Sequence, residues 1–584
     1  MSSALALMRW TYGIRSAGMM PGWAPVVLWV VLAMGLAVGT GEAYGQADRV
    51  RDAIRARCES LIETGSLQVR GAEIASVVAI PGFYRKRGYR PAWTDPENIS
   101  GLMRAAEGMY EDGLNPEDYL YAEIKRVNAE MAGTANPGPE LAADREMLLM
   151  DSLFRMAYHV EFGKVDPERL DPNWNIHREF RSEGLAEQME NVLGSAGIEE
   201  YIEKAKPQHQ LYSCLKATLQ KYRRIQAEGG WEPVPADGVL KKGMTRDNVV
   251  ALRERLRVAG DLPGEASAAS GDFDEQLEDA VRRFQVRHGL AGDGVVGKAT
   301  FEALNVPVED RINQLRANLE RARWVLQDFT DTFVMVNIAG FRVNYVEDNR
   351  IRWSTRAQVG QPYRQTPVFR ADMKYIVFNP TWTVPPTILE KDVLPAIQKD
   401  IGYLEKKNMV VLDRSGKAVD PGSVAWSKYR GPDLPYTIRQ EPGPGNALGR
   451  VKFIFPNKHF IFLHDTPSKS LFDRAERAFS SGCIRVQHPF ELAEILLADR
   501  GYDQARIAEV LDTGKEENVY LTKPVPTLLL YWTAFTTLDG GCNFRKDVYE
   551  RDPAIIAALD GPIVLRKGHE ADRDRLIEDL RNNR

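Results

Sequence analysis

The sequence predicts a multidomain α+β protein: a helical domain, a small three-helix unit, and a β-rich domain interrupted by an inserted cap. Three observations carry this expectation. Apolar residues recur at helical spacing in Met147-Leu148-Leu149-Met150-Asp151-Ser152-Leu153-Phe154-Arg155-Met156-Ala157-Tyr158 and again across residues 211–225. Residues 239–305 break into three short helical runs punctuated by glycines. From Phe333 onward the period changes to two, with Phe341, Val343 and Tyr345 alternating with Arg342, Asn344 and Val346.

Taken in order, residues 1–45 read as a targeting segment. Arg9 and Arg15 precede an uncharged stretch over residues 16–41, whose most apolar part is 26–38, and Ala43-Tyr44-Gly45 forms a small-x-small processing site. A signal peptide or an uncleaved N-terminal anchor satisfies this pattern, and both predict export. In an oxidising compartment Cys58 and Cys214 could pair, while Cys542, after Asp539-Gly540-Gly541, reads as a surface thiol in a turn. A net charge of −5 with the two signs interspersed leaves no basic stripe for a phosphate backbone, so no nucleic-acid partner is expected. Eight histidines and four cysteines show neither C-x-x-C nor H-E-x-x-H spacing, so neither a metal nor another cofactor is expected.

Residues 48–235 form the helical domain, its helices separated by turns such as Asp112-Gly113-Leu114-Asn115-Pro116 and Gly163-Lys164-Val165-Asp166-Pro167. No catalytic cluster falls there. In the three-helix unit, 239–305, Thr245 is placed to cap a helix presenting Val249, Leu252 and Leu256, which Gly260 ends; Asp274 opens a second, with Leu277, Ala280, Val281 and Phe284 inward and Gly289 as its stop; and residues 298–304 form the third. The β-rich domain spans 330–550. Hairpins are expected at Ala339-Gly340 and at Pro456-Asn457, the second joining Val451-Lys452-Phe453-Ile454-Phe455 to residues 458–463, and a cap near 388–449 begins helically and ends in a Gly/Pro-rich loop. Residues 551–584 read as a charged C-terminal tail.

The chemistry centres on Cys483 in Ser480-Ser481-Gly482-Cys483-Ile484-Arg485, nineteen residues after His464. A free thiol is mostly protonated near neutrality and needs a base or a cation to become a nucleophile, which His464 and Arg485 could supply. His464 ends one alternating strand and Cys483 begins the next apolar segment, so adjacent strands can bring imidazole and sulfur together. Asp465 follows His464 directly; successive strand side chains point to opposite faces, so a backbone carbonyl is better placed than its carboxylate to hold the imidazole tautomer. Ser481, Gly482 and Cys483 can aim backbone N–H groups at an oxyanion.

Several of these strings also carry a family resemblance. Phe378-Asn379-Pro380-Thr381-Trp382-Thr383-Val384-Pro385-Pro386, Asn446-Ala447-Leu448-Gly449, His464 and Ser481-Gly482-Cys483-Ile484-Arg485 resemble, in order and spacing, the catalytic domain of the L,D-transpeptidases. Residues 83–93 with 112–119 are similar to the helical scaffold domain of the larger Gram-negative members. Residues 239–305 look like a peptidoglycan-binding type 1 domain. The resemblance implies a periplasmic acyltransferase with Cys483 as nucleophile and His464 as base, the Asp465 carbonyl orienting His464 and the Gly482 backbone in the oxyanion hole. Arg485, Ser481, Trp382 and Phe462 would bind substrate, and peptidoglycan stem peptides and glycan would be the partners. It further implies cross-linking between two diaminopimelate residues and a carbapenem adduct on Cys483; an L,D-carboxypeptidase or a non-catalytic wall-binding protein is the alternative. Ser481 stands where many members carry histidine, so no second imidazole is expected.

Overall fold

The computed structural model describes residues 26–176, 184–195, 197–263, 270–327, 332–348, 350–536 and 541–564, with 574–575, 577–579 and 581–582 near the end. The expected targeting segment lies largely outside these residues. What is described of it belongs to one helix, α1 (Val26–Thr64), which runs unbroken past the Ala43-Tyr44-Gly45 site. Among the described residues no helix is long and apolar enough to cross a membrane.

The helical domain is organised around α2 (Pro139–Phe162), which is buried on all sides between Glu146 and Phe154. Its buried carboxylates are satisfied by backbone: Glu146 accepts from the Ala92 and Trp93 amides at 2.7 and 3.1 Å and from Tyr84 Oη at 2.7 Å. That requirement explains why residues 87–93, which follow the helix Ala79–Lys86, form a defined loop, since an unpartnered buried carboxylate costs several kcal/mol. Cys58 is buried in this core as a free thiol. The pairing of Cys58 with Cys214 is therefore corrected: Cys214 lies on α3 (Gln210–Ala227), and its electrostatic neighbour is Cys542.

The three-helix unit comprises α4 (Asp247–Ala259), α5 (Glu275–Arg287) and α6 (Lys298–Leu304) around Leu252, Leu256, Leu277, Val281 and Phe284. Gly260 and Gly289 take the left-handed conformation, with φ of 81° and 73°, that terminates a helix with least cost in glycine. Asp274 caps α5 by accepting from the Leu277 amide at 2.8 Å. Thr245 does not cap α4; Arg246 holds that position, and the Thr245 hydroxyl donates to Asp272 at 2.6 Å instead.

Helix α7 (Val308–Val325) follows, in the stretch between the three-helix unit and the β-rich domain to which the sequence analysis assigns no element. It is the spine of the molecule. Toward the scaffold, Arg323 donates to the Asp112 carbonyl at 3.1 Å and to Tyr212 Oη at 2.9 Å, and Arg316 donates to the Gly113 carbonyl at 3.1 Å. Toward the C-terminal domain, Gln314 donates to the carbonyls of Thr533 and Arg545 at 2.9 and 2.8 Å. Gly163 passes so close to α7 that a Cβ would lie 2.6 Å from Glu320 Oε1.

The β-rich domain is a closed barrel. Its strands are β1 (Thr332–Asn337), β2 (Arg342–Glu347), β3 (Arg350–Gly360) and β4 (Phe369–Phe378); the cap strands β5 (Trp382–Thr383), β6 (Met409–Leu412), β7 (Ala418–Val419) and β8 (Thr437–Gln440); then β9 (Val451–Ile454), β10 (Leu463–His464), β11 (Ala478–Ser480), β12 (Ile484–Val486) and β13 (Glu517–Leu530). The main sheet runs β11-β3-β12-β10-β9-β4-β13-β1-β2, and β2 also pairs with β3, which closes it. Strands β9 and β10 are antiparallel, but residues 455–462 separate them as a wide loop, so the tight turn expected at Pro456-Asn457 is absent. The cap inserts between neighbouring strands β4 and β9 and has its own apolar core, including Leu394, Ile397, Trp426 and Ile438. Cys542 is buried on a strand, Cys542–Phe544, beside α3, and is not the surface thiol expected. The segment after residue 550 is more than a tail: its helix, Asp552–Asp560, buries Ile555 and Leu559, and Asp552 and Asp560 pair with Arg321 and Arg316 of α7 at 2.6 Å each.

Candidate active site

Register assembles the site. Strands β10 and β12 are parallel neighbours, and Lys452, His464, Arg485 and Gln358 pair laterally across β9, β10, β12 and β3. Laterally paired residues point to the same face, so these four side chains form one polar row on the barrel. Cys483 precedes Arg485 by two positions and shares its face; Phe462 precedes His464 in the same way. The Ile484 amide donates to the Phe462 carbonyl at 3.1 Å, which sets Cys483 beside Phe462 and makes His464 its diagonal neighbour. An imidazole and a thiol can bridge such a diagonal.

His464 is 4% exposed, and its Nδ1 lies 2.5 Å from the Asp465 carbonyl. A carbonyl only accepts, so Nδ1 carries the proton and Nε2 presents a lone pair. The Asp465 carboxylate faces elsewhere: it accepts from the Arg450 amide at 3.0 Å and pairs with Lys469. Gly449 makes that packing possible, because a Cβ there would sit 2.4 Å from Asp465. Asn446 holds the same loop, donating to the carbonyls of Pro380 and Glu441 at 3.0 Å each and so tying both stems of the cap to the site.

Burial, then the Arg485 cation, press the His464 imidazole down to about 3, against the backbone of Asp465 and Leu448. Burial raises the Cys483 thiol, while the Phe462 backbone, Lys452 and Arg485 act the other way. Both shifts favour the same resting state, a neutral thiol beside a neutral imidazole. A neutral thiol becomes a nucleophile only by giving its proton to a base; here Cys483 Sγ donates to the Phe460 carbonyl at 3.7 Å.

The nucleophile loop is strapped from behind. Thr366 Oγ1 donates to the Gly482 carbonyl at 2.7 Å, and Ser480 Oγ donates to the Cys483 carbonyl at 2.5 Å. Gly482 has φ of 119°, a conformation that disfavours any side chain. Its amide donates to Ser480 Oγ at 3.1 Å, so that N–H is already engaged in this structure. The amides of Ser481 and Cys483 have no acceptor among the described residues.

Of the remaining expected residues, Arg485 donates to Gln358 at 3.1 Å through Nη1, while its buried Nε has no partner. Ser481 Oγ accepts from Arg364 at 2.8 Å, and Arg364 also pairs with Asp392 of the cap at 3.0 Å. Phe462 lies 6.3 Å from the His464 ring, whereas Trp382 packs on the apolar core of the cap. Sequence reasoning missed Lys452, whose ammonium sits 4.4 Å from the Phe462 ring centre; a lysine between Val451 and Phe453 was the available signal. It also missed Thr366, Gln358 and Arg364, which join the site only through the fold.

A thiol, an oriented imidazole and unengaged amides on a capped barrel are the equipment of acyl transfer. Comparison with known proteins gives the family. Residues 331–515 match the L,D-transpeptidase catalytic domain, residues 78–219 the scaffold domain, and residues 245–304 a "Putative peptidoglycan binding domain". A Haemophilus influenzae protein described as "Putative L,D-transpeptidase" is 35% identical over 283 residues, covering 47% of this chain and 57% of that protein. The chain thus spans a little over half the length of that curated relative. An N-acetylmuramoyl-L-alanine amidase of Bacillus licheniformis is 40% identical over 67 residues, 11% of this chain and 18% of the amidase. A solved L,D-transpeptidase from Xylanimonas cellulosilytica, 18% identical, covers 51% of this chain and 100% of its own, with a TM-score of 0.17. The scaffold, peptidoglycan-binding and catalytic matches, in that order, support a place for this chain in the L,D-transpeptidase family.

Proposed function

We propose that the chain is an exported, cysteine-dependent L,D-transpeptidase acting on peptidoglycan in the periplasm. The observation that carries this reading is the register that makes His464, with Nδ1 tied to the Asp465 carbonyl, the diagonal neighbour of Cys483. His464 Nε2 takes the thiol proton as sulfur attacks the carbonyl joining diaminopimelate to the terminal D-alanine of a tetrapeptide stem. The Ser481 and Cys483 amides hold the oxyanion. Collapse expels D-alanine, its amine protonated by His464, and leaves a thioester on Cys483. The side-chain amine of a second stem's diaminopimelate then gives a proton to His464 and attacks the thioester, forming a diaminopimelate–diaminopimelate cross-link and restoring the thiol. Arg485, with its unpartnered Nε, and Lys452 supply positive charge for the stem's carboxylates, and Phe462 walls the cleft. A carbapenem would acylate the same sulfur.

The test is mass spectrometry of muropeptides after incubation of the protein with disaccharide tetrapeptide, wild type beside Cys483→Ala. A dimer one D-alanine short, formed by wild type alone, supports the proposal. D-Alanine loss without a dimer reassigns the chain as an L,D-carboxypeptidase, and no reaction of either protein reassigns it as a wall-binding protein.

A further inference from the structure

Four arginines gather at the end of the barrel that meets α5. Arg342 on β2 and Arg356 on β3 are direct cross-strand partners, so their side chains leave the sheet on one face with Cβ atoms about 5 Å apart. Arg477 reaches the same two strands. Its guanidinium donates to the carbonyls of Phe341 and Ala357 at 3.3 and 3.2 Å, residues next in the chain to Arg342 and Arg356. Arg545 follows the strand Cys542–Phe544; it donates to the carbonyl of Arg287, the last residue of α5, at 2.9 Å and lies 4.9 Å from the Phe535 ring centre.

Like charges set directly opposite one another destabilise a sheet unless something offsets them. Here little does. Arg356 pairs with Asp473 at 3.3 Å, a side chain that is 77% exposed, and the neighbouring Glu476 is taken by Lys546 at 3.3 Å. No carboxylate acts on Arg342, Arg477 or Arg545. Burial, then Arg356 and Arg342, presses Arg477 down to about 10, and burial, then Arg342 and Arg477, presses Arg545 down to about 10, so both stay cationic at neutral pH. Their hydrogen bonds go to neutral oxygens. Arg342 Nε and Nη2 donate to Ser354 Oγ at 3.0 and 2.7 Å, and Arg477 Nη1 donates to the Arg474 carbonyl at 2.6 Å, which fixes the cluster without discharging it. Arg342 Nη1 and Arg545 Nη2 donate to no acceptor among the described residues, and neither is sealed from solvent.

Four guanidiniums against the one carboxylate of Asp473 leave an excess of three positive charges. A single carboxylate would offset only one. A phosphate ester carries about −1.5 to −2 at neutral pH and presents three oxygens to the planar forks of arginine. We propose that Arg342, Arg356, Arg477 and Arg545 form a binding site for a phosphate-bearing anion, a monoester or a diphosphate. Arg342 Nη1 and Arg545 Nη2 donate to its oxygens, and Arg356 and Arg477 supply further charge. The site is separate from the acyl-transfer centre and does not depend on it: the segment 468–473 lies over β3 from Gln358, in the catalytic row, to Arg356, accepting from them through the Ser468 and Phe472 carbonyls at 3.2 and 3.0 Å.

Isothermal titration calorimetry of the full chain, with inorganic pyrophosphate as probe, tests the site. Saturable binding is expected, weakened at least about tenfold by Arg342→Gln and by Arg545→Gln and unchanged by Arg414→Gln, which removes an equal charge from an exposed turn of the cap. Pyrophosphate should raise the melting temperature of wild type but not of Arg342→Gln, and the unliganded Arg342→Gln should melt no lower than wild type because a like-charge pair is gone. Flotation with phosphatidylcholine vesicles containing about 20% phosphatidic acid separates two sources of the ligand. Co-flotation displaced by pyrophosphate identifies a lipid headgroup, and pyrophosphate binding without flotation identifies a soluble phosphate ester; either supports the site. Absence of pyrophosphate binding to wild type overturns the proposal, as does equal affinity of the folded variants. Displacement of pyrophosphate by an equal concentration of citrate would reassign the cluster to carboxylates and overturn it as well.

Discussion

Acidification should leave acylation nearly untouched between pH 7 and 5. An ordinary imidazole, with a pKa of about 6.5, would be about 97% protonated at pH 5 and would lose about thirtyfold of its basic form. His464 is pressed down to about 3 by burial and by Arg485. At pH 5 it would be only about 1% protonated, and the displacement corresponds to about 5 kcal/mol of preference for the neutral ring. Because kcat/KM reports ionisations of the free enzyme, the assay is kcat/KM for D-alanine release across pH 5–8. We expect a fall of less than about twofold between pH 7 and 5, where the flat profile reflects the neutral thiol–imidazole pair. A drop of about thirtyfold with an apparent pKa near 6.5 would refute the reasoning, because it would mean an imidazole that is solvated or paired with an anion.

Removing the cation in Arg485→Met should raise the His464 pKa and move the acid limb of kcat/KM to higher pH than in wild type; an unchanged profile would separate Arg485 from the base. Stability carries the opposite sign. The folded-state pKa of His464 lies below its unfolded value, so its contribution is intact above about pH 6.5 and is lost as pH falls toward 3. Between pH 7 and 5, wild type should therefore lose about 2 kcal/mol more than His464→Gln in urea unfolding of the catalytic domain, and equal losses would contradict the shift. Gly449→Ala would place a Cβ 2.4 Å from Asp465 at a φ of 63°; a cost of about 1–3 kcal/mol and slowed acylation are expected, and a variant with wild-type melting and rate would disprove that constraint. Arg364→Ala cuts the contacts to Ser481 and Asp392 and should cost under about 1 kcal/mol while accelerating hydrogen exchange in residues 386–399; unchanged exchange would show that the cap is not held through Arg364.

The parts of this molecule governed by local rules were legible. Gly260 and Gly289 stop helices because positive φ is cheap for glycine, and residues 298–304 form the helix expected of them. Helix α7 carries an apolar stripe at helical spacing, Val308, Ile312, Leu315, Leu319 and Ala322; what the stripe could not show is that Arg311, Gln314, Asn318, Arg321 and Arg323 are buried as well, among partners that only the fold supplies. The hairpin at Pro456-Asn457 failed for a related reason: Asn457 donates to the Phe455 and Ile461 carbonyls at 2.7 Å each, which organises a wide loop in place of a two-residue turn. Cys542 misled because burial against α3 comes from a helix more than 300 residues away in the chain.

By itself the sequence determined which reactive groups the chain owns: the Cys483 thiol in Ser-Gly-Cys-Ile-Arg, a histidine nineteen residues earlier, and an arginine two positions beyond the thiol. Residue type and short spacing are chemical facts that need no fold. Tertiary structure alone decided that β10 and β12 run parallel in register, that Lys452 and Gln358 complete the row, and that the Gly482 amide is already engaged. It also decided the charge states, because desolvation and the field of Arg485 depend on what the closed barrel packs around His464, and no stretch of sequence near that histidine carries this information.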